Sequence, residues 1–281
     1  MLQKNGREMS EPQFFDSDGV RIAYLDRIVA DGERPAVDEP HRATVGLPVL
    51  LIHGFASNIA MNWVATGWVE VLASGGRRVI AIDNRGHGAS AKLYDLADYG
   101  APLMAEDARR LLDHLGVEKA HVVGYSMGSR IAAFLALAHR DRVASLVFGG
   151  LGINMVRGMA GTGPIAVALE AKSIDDVTNP TARTFRAFAE HTNSDLRALA
   201  ACIRSSRAKI SAEMIGQLAC PVLVAVGEHD VIGGSASALA DLIPTARAFT
   251  IAGREHMKAV GDRTFKAEAA RFLDDVENSQ A

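Results

Sequence analysis

Cysteine is scarce in this chain of 281 residues, which holds only Cys202 and Cys220. Two cysteines cannot build a disulfide framework, and they predict free thiols in a reducing compartment. Long hydrophobic runs are also missing, since no stretch reaches the roughly 18 apolar residues that a membrane-spanning helix needs. Residues 1–13 are polar and lack the apolar core of a signal peptide. We therefore expect a flexible segment over residues 1–13, no membrane span and a cytoplasmic location.

Charge of one sign is not in excess either. The 30 Lys and Arg residues nearly balance the 33 Asp and Glu residues, so the formal net charge is −3. Such a chain has no strong attraction to nucleic acid or to an anionic membrane, and we predict no nucleic-acid partner. Apolar residues make up 48% of the chain, which is enough for one large α/β domain with a well-buried sheet.

Motifs for metal ions and nucleotide cofactors are absent. The sequence has no Walker A loop, no H-E-x-x-H and no paired C-x-x-C. Residues 161–166, GTGPIA, do fit the dinucleotide fingerprint G-x-G-x-x-A. That fingerprint requires a preceding strand, whereas residues 157–160, RGMA, do not have the pattern of one. We therefore predict no cofactor and no metal.

The most informative motif that is present is GYSMG at residues 124–128, which fits G-x-S-x-G. An apolar run at residues 120–123 predicts a strand before it, and a helical pattern at residues 128–139 follows. Strand, tight turn and helix form the setting of a nucleophile elbow, where a serine projects from a strained turn. Glycine is needed on both sides because strand and helix backbones crowd that turn. Ser126 is therefore the candidate nucleophile.

A serine nucleophile needs a base to take its proton and a third group to orient that base. Two strand-like runs follow the motif, at residues 221–226 and 248–252, and each ends in a polar loop. Asp230 lies in the first loop and His256 in the second, which is the chain order of elbow enzymes. Asp230 is thus the predicted acid and His256 the predicted base, with Glu228 as the alternative acid.

Three further segments complete a resemblance to the α/β-hydrolase fold over residues 49–274. His53-Gly54-Phe55 is similar to the H-G-aromatic oxyanion loop of that family. Residues 83–90, DNRGHGAS, are similar to its D-x-R-G-x-G-x-S turn, and residues 226–230, VGEHD, to its acid loop. The resemblance implies a mostly parallel sheet of about eight strands with helices on both faces and a small helical cap.

The resemblance also implies a role for each candidate residue. Ser126 would attack an acyl carbon, His256 would move the proton, and Asp230 would orient His256. The backbone N–H groups of Phe55 and Met127 would form the oxyanion hole. The residues predicted to contact the substrate are Tyr125, Met155 and Met159.

One residue departs from the pattern of the resembled family. Many of its members have a second glycine directly after G-x-S-x-G, whereas this chain has Ser129. Serine is small, so we expect the close packing of the elbow to survive.

Strand-like runs alternate with helical patterns along most of the chain, and this favours a largely parallel sheet. Residues 14–27 carry DSDG between two apolar stretches, which predicts a hairpin. We expect its two antiparallel strands to lie at one edge of the sheet. Single helices are predicted over residues 60–74, 103–115 and 258–277.

Residues 152–217 break the alternation, because they contain no convincing strand. They show three helical patterns, at residues 165–172, 181–191 and 195–209. We therefore predict a helical cap over residues 152–217, on a core formed by residues 14–151 and 218–278. Its first part, Gly152–Gly163, is rich in glycine and methionine and is predicted to gate or line the pocket. An ordinary connecting loop is the alternative.

A serine at the elbow, where some members of the resembled family have aspartate, implies an acyl-enzyme route. The predicted function is a hydrolase of carboxylic esters with small to medium apolar acyl groups. Cleavage of a diketone carbon–carbon bond, lactone hydrolysis and perhydrolysis remain alternatives, as does a non-catalytic ligand receptor. The aromatic residues that could line an apolar pocket are Trp63, Trp68, Phe185 and Phe188. At helical spacing such residues are also typical of a core.

Overall fold

A computed structural model of the protein describes residues 12–28, 46–158, 162–205 and 208–279. It contains an eight-stranded sheet with helices on both faces, so the predicted fold class is confirmed. Residues 1–11, most of the segment predicted to be flexible, lie outside the described residues. That prediction is wrong for Gln13, because this residue begins the first strand and pairs with Tyr24.

The strands, numbered in chain order, are β1 Gln13–Ser17, β2 Val20–Arg27, β3 Val49–Ile52, β4 Val79–Ile82, β5 Ala120–Tyr125, β6 Val143–Gly149, β7 Val222–Gly227 and β8 Ala246–Ile251. Their spatial order is β1-β2-β4-β3-β5-β6-β7-β8. The β1–β2 and β2–β4 pairs are antiparallel, and the remaining pairs are parallel. The predicted hairpin therefore forms the antiparallel edge. Its turn has positive φ at Asp18 (57°) and Gly19 (81°).

The central strands are buried on both faces, which explains their continuous apolar runs. Along β3, Val49 and Leu51 face one apolar core, whereas Leu50 and Ile52 face the other. Alternate residues of a strand point to opposite faces, so one run of four apolar residues serves both cores.

The α-helices of the described residues are α1 Trp68–Ser74, α2 Ala101–His114, α3 Met127–Ala138, α4 Asn154–Arg157, α5 Thr162–Glu170, α6 Pro180–His191, α7 Leu196–Ser205, α8 Ala212–Ile215, α9 Ala236–Ala240, α10 His256–Ala259 and α11 Arg263–Asn278. Helices α1 and α11 pack on one face of the sheet, and α2, α3 and α9 pack on the other. None of the helices in the described ranges has the length and hydrophobicity needed to cross a membrane.

Two segments that were predicted to be single helices are each divided into two helical elements. Residues 60–74 form a π-helical turn, Ala60–Val64, and then α1, separated at Gly67, whose φ of 77° no right-handed helix contains. Residues 258–277 are likewise divided between α10 and α11. Asp262 stands between them and caps α11 by accepting hydrogen bonds from the Thr264 and Phe265 N–H groups.

The predicted helical patterns of residues 152–217 correspond to α5, α6 and α7, and the described part of this stretch contains no strand. Its beginning is attached to the loop after β7. The Gly152 N–H donates to Gly233 O at 2.9 Å and the Ile153 N–H to Ser235 O at 2.9 Å. The division into a cap over residues 152–217 and a separate core stays a prediction, as does the gating role of Gly152–Gly163.

Candidate active site

Ser126 lies on a tight turn between β5 and α3, where its backbone has φ 53° and ψ −111°. Its flanking glycines permit that turn. A Cβ at Gly124 would lie 2.4 Å from Gly128 O, and one at Gly128 would lie 1.9 Å from Ile52 O. Both contacts are to backbone, which cannot move aside without shifting the strand or the helix. The G-x-S-x-G spacing is therefore a steric requirement of this turn.

Ser129, where the resembled family often has glycine, has a partner of its own. Its buried hydroxyl lies 2.9 Å from Gly124 O and 3.0 Å from Gly149 O, so it can donate to either carbonyl. A hydrogen-bonded hydroxyl can be buried at little cost. This serine thus ties the first turn of α3 to the ends of β5 and β6.

The structure brings the three predicted catalytic side chains together. His256 Nε2 lies 3.0 Å from Ser126 Oγ, and His256 Nδ1 lies 2.8 Å from Asp230 Oδ2. Asp230 and His256 are both buried, with 6% of each residue exposed. The carboxylate accepts from Nδ1–H, which leaves the Nε2 lone pair directed at the serine hydroxyl.

The acid loop favours Asp230 over Glu228. Asp230 Oδ1 accepts hydrogen bonds from the Ile232 N–H at 2.9 Å and the Gly233 N–H at 2.8 Å. These bonds hold the carboxylate in place and direct its other oxygen toward the imidazole. Glu228 is exposed and accepts from the Gly253 N–H at 2.7 Å. It therefore has a separate role in the neighbouring loop.

The predicted oxyanion donors border the same cavity as Ser126, because Phe55 and Met127 both line it. The Met127 N–H is the first of α3 and has no partner within the helix. Among the described residues, the Phe55 N–H likewise donates to no backbone group. Both N–H groups are thus available to a bound oxygen atom.

The Phe55 loop is held by a buried histidine. His53 Nδ1–H donates to Gly54 O at 2.7 Å, and His53 Nε2 accepts from the Asn84 N–H at 3.0 Å. Burial lowers the pKa of His53 to about 4, so the ring is neutral at physiological pH. A neutral ring with this tautomer satisfies both contacts, which fits a bracing role for His53 in the Phe55 loop.

Tyr125 does not lie among the residues that line the cavity. Its ring is buried, and its hydroxyl donates to the backbone oxygen of His256. Burial raises the pKa of this phenol, and the charge of Asp230 raises it further. The phenol therefore stays a neutral donor that positions the histidine loop, and a direct contact with substrate remains a prediction without geometric support.

A cavity of about 350 Å³ opens beside Ser126. Met155 and Phe185 line it, and the substrate contact of Met155 stays a prediction. Met159 lies outside the described residues. Further apolar lining comes from Leu151, Ile203 and Ile232. The volume is within the range of small-molecule sites, about 300–1,000 Å³.

The two tryptophans belong to the apolar core on the face of the sheet away from the cavity. Trp63 and Trp68 are buried, and the Trp68 ring lies 4.9 Å from that of Phe265 on α11. Phe188 is likewise not among the cavity residues. Helical spacing alone could not assign a side, because both faces of the sheet carry apolar helices.

One cavity residue, Arg130, was not predicted from the sequence. It lies four residues after Ser126, and that spacing places both on one side of α3. The spacing was visible in the sequence, but an arginine at a helix surface is usually solvated.

In the described ranges, no group of three or more His, Cys, Asp or Glu side chains is placed to hold a metal ion.

Comparison with known families gives a partial match. Residues 48–160 match the family model of the α/β hydrolase fold. This range contains the Phe55 loop and the nucleophile elbow, but neither Asp230 nor His256.

Curated proteins also match part of the chain, two of them as follows. The dihydrolipoyllysine-residue acetyltransferase component of the acetoin cleaving system of Pseudomonas putida is 40% identical over 101 residues, 36% of this chain and 26% of that protein. The 2-hydroxymuconate semialdehyde hydrolase of Pseudomonas sp. (strain CF600) is 36% identical over 123 residues, 44% of this chain and 42% of that protein. The matched stretches therefore span less than half of these relatives.

A solved structure matches nearly the whole chain. The enol-lactonase from Burkholderia xenovorans LB400 has a TM-score of 0.70 and 21% identity, and the match covers 93% of this chain and 100% of that one. Likeness at this level of identity establishes a shared fold.

Proposed function

We propose that this chain, a protein of the α/β-hydrolase fold, is a serine hydrolase that cleaves carboxylic esters through an acyl-enzyme intermediate. The observation that carries the proposal is the unbroken chain of contacts from Asp230 to His256 to Ser126 beside a cavity. A serine hydroxyl becomes an effective nucleophile only when a base removes its proton and a carboxylate orients that base.

The acylation step follows from this geometry. Ser126 Oγ attacks the ester carbonyl carbon while its proton passes to His256 Nε2, 3.0 Å away. Asp230 stabilises the imidazolium that forms. The carbonyl oxygen becomes an oxyanion, which the N–H groups of Met127 and Phe55 would bind. Each such donor stabilises the transition state by about 2.7–4 kcal/mol. The alcohol then leaves as the C–O bond breaks, and it takes the proton from Nε2.

Deacylation repeats these steps with water. His256 Nε2 removes a proton from a water molecule, whose oxygen attacks the acyl carbon. His256 Nε2 then gives that proton to Ser126 Oγ as the bond between Oγ and the acyl carbon breaks, and the carboxylic acid leaves. One set of side chains thus serves both halves of the cycle.

The serine also favours acyl over alkyl substrates. Attack of Ser126 on an alkyl carbon, as in opening an epoxide or displacing a halide, would form an ether. An ether has no carbonyl for water to attack, so the enzyme would be consumed after one turnover. Attack on an acyl carbon gives an ester, which water can cleave.

The cavity supports the proposed size of the acyl group. A space of about 350 Å³ suits a small to medium acyl chain, and most of its lining side chains are apolar, among them Met155, Phe185 and Ile203.

A serine hydrolase acting on a carbon–carbon bond is the second candidate function. The likeness to the 2-hydroxymuconate semialdehyde hydrolase favours it.

A panel of p-nitrophenyl esters from acetate to decanoate tests the proposal. We expect repeated turnover that is fastest for the shorter chains, and Ser126→Ala should abolish it while leaving the thermal unfolding temperature unchanged. A fluorophosphonate should label the wild-type protein at Ser126, as measured by mass spectrometry. Turnover that persists in Ser126→Ala would contradict the proposal. Labelling or a single burst without turnover would favour a receptor, and cleavage of diketones alone would favour the second candidate.

A further inference from the structure

The charged part of the cavity lining is uniformly basic. Among its described residues, Arg130, Arg157 and Lys209 carry positive charge, and none is acidic. Arg157 and Lys209 are exposed, whereas Arg130 is half-buried. A neutral ester carries no charge that could pair with these side chains, so the proposed ester substrate alone does not explain them.

Arg130 extends from α3 toward the residues that follow β6. Its Nη2 donates to Met155 O at 2.9 Å and lies 3.4 Å from Asn154 O, while Nη1 lies 3.4 Å from Ala208 O. A guanidinium has five N–H donors, so Nε–H and one Nη1 hydrogen have no partner among the described residues. The group borders the cavity and keeps donors for a ligand.

Arg130 also lacks a carboxylate partner. No ion pair joins it to any of the described residues, and burial lowers the pKa of its guanidinium with no acidic group to oppose that shift. Buried arginines elsewhere in the described chain do face carboxylates: Arg77 faces Asp274 and Glu277, Arg85 faces Asp107, and Arg186 faces Glu190. Backbone carbonyls alone compensate a partly desolvated charge only in part.

We propose that Arg130 binds a carboxylate carried by the substrate, in addition to the ester group at Ser126. The inference rests on the proposed function, since it deepens the substrate class of the same site. Ser126 is the N-cap of α3, the Arg130 N–H lies 3.4 Å from Ser126 O, and both side chains border the cavity. A substrate of a few methylene groups between ester and carboxylate would span them. Arg157 and Lys209 would attract the anion at the exposed part of the cavity.

Length-matched ester pairs test this inference. The p-nitrophenyl hydrogen esters of succinate, glutarate and adipate are compared with p-nitrophenyl butyrate, valerate and hexanoate. A second pair, 4-carboxyphenyl and 4-acetylphenyl butyrate, places the carboxylate on the leaving group. We expect kcat/KM to favour the carboxylate member of at least one pair by about tenfold or more, through KM.

The variants separate binding from a structural role. Arg130→Gln should lower the carboxylate-to-neutral ratio of kcat/KM by about tenfold or more, whereas Arg130→Lys should retain part of it. The ratio is unaffected by any loss of folded protein, because both esters are measured on one sample. Arg140→Gln is the matched control, since Arg140 is exposed beyond the other end of α3 and contacts Gln217. Its ratio should equal that of the wild type.

Failure of the inference is distinct from failure of the proposed function. Ester turnover with no carboxylate preference, or a ratio that Arg130→Gln leaves unchanged, overturns the role of Arg130 alone. Absence of all turnover overturns the proposed function. Calorimetry of Ser126→Ala with monomethyl glutarate and methyl valerate then decides on Arg130. Tighter binding of the former that Arg130→Gln removes supports the inference, and equal binding overturns it.

Discussion

At the scale of single residues, the proposed nucleophile has a backbone conformation that L-residues avoid. Ser126 has φ 53° and ψ −111°, outside the common regions, and the surrounding contacts hold it there. Its N–H donates to Gly149 O at 2.7 Å, and its own carbonyl accepts from the Ser129 N–H at 3.0 Å. These bonds explain how a strained residue persists at the end of β5.

Asp230→Asn is predicted to reduce kcat/KM for esters by about 10³–10⁴. The amide can donate to His256 Nδ1, which would place the ring proton on Nε2 and remove the lone pair that faces Ser126. The measurement is steady-state hydrolysis of a p-nitrophenyl ester near neutral pH, with circular dichroism to verify folding. Glu228→Gln is the matched control because it alters the exposed acid of the same loop. A larger loss in that control would transfer the acid role to Glu228.

At the scale of elements, the site depends on how closely α3 approaches the sheet. Gly128 faces Ile52 O of β3, and Gly124 faces the first turn of the helix. Ser129 adds a hydrogen bond from that turn to the strand ends. The elbow is therefore set by packing between three elements, and its geometry does not depend on local sequence alone.

Gly128→Ala is predicted to cost more than about 2 kcal/mol in the free energy of unfolding, because its methyl group would overlap Ile52 O. Urea denaturation of both proteins measures this difference. Gly163→Ala serves as the control, since a Cβ there meets no atom within 4 Å and the residue lies in α5. That variant should have wild-type stability or exceed it. Comparable losses in the two variants would refute the steric explanation.

At the scale of the whole molecule, the sequence predicted the sheet, its antiparallel edge and the loops that carry Ser126, Asp230 and His256. Buried strands and turn glycines leave strong local patterns, and the motif order locates the site residues. Side-chain direction was harder to predict. Trp63 and Trp68 face the opposite core, and Arg130 faces the cavity, because the packing of distant segments decides which side of a helix is enclosed.

Stability of the whole molecule should fall as the pH decreases from about 6.5 to 4. Burial lowers the pKa of His53 to about 4 and that of His87 to about 3. The unfolded chain takes up these protons below about pH 6.5 and the folded chain does not, so acid favours unfolding. We expect a loss of about 2 kcal/mol per histidine at pH 5 relative to pH 7.5.

Urea unfolding at pH 7.5 and pH 5 measures this loss, and His87→Gln should reduce the difference between the two pH values by about 2 kcal/mol. Burial also raises the pKa of Asp83. Such groups contribute equally to the pH dependence of wild type and variant, so they cancel in the comparison. An unchanged difference in the variant would mean that His87 is accessible to protons in the folded state.

The chain order of the three proposed catalytic residues has a consequence for synthesis on the ribosome. Ser126 emerges first, Asp230 follows more than a hundred residues later, and His256 comes last. The Tyr125 hydroxyl donates to the backbone oxygen of His256. Tyr125 is the last residue of β5, which is synthesised well before the histidine loop. A growing chain that has already folded its first strands thus carries the nucleophile without its base. The proposed triad is complete only once His256 has been synthesised, so we expect chains that stop before this residue to be inactive.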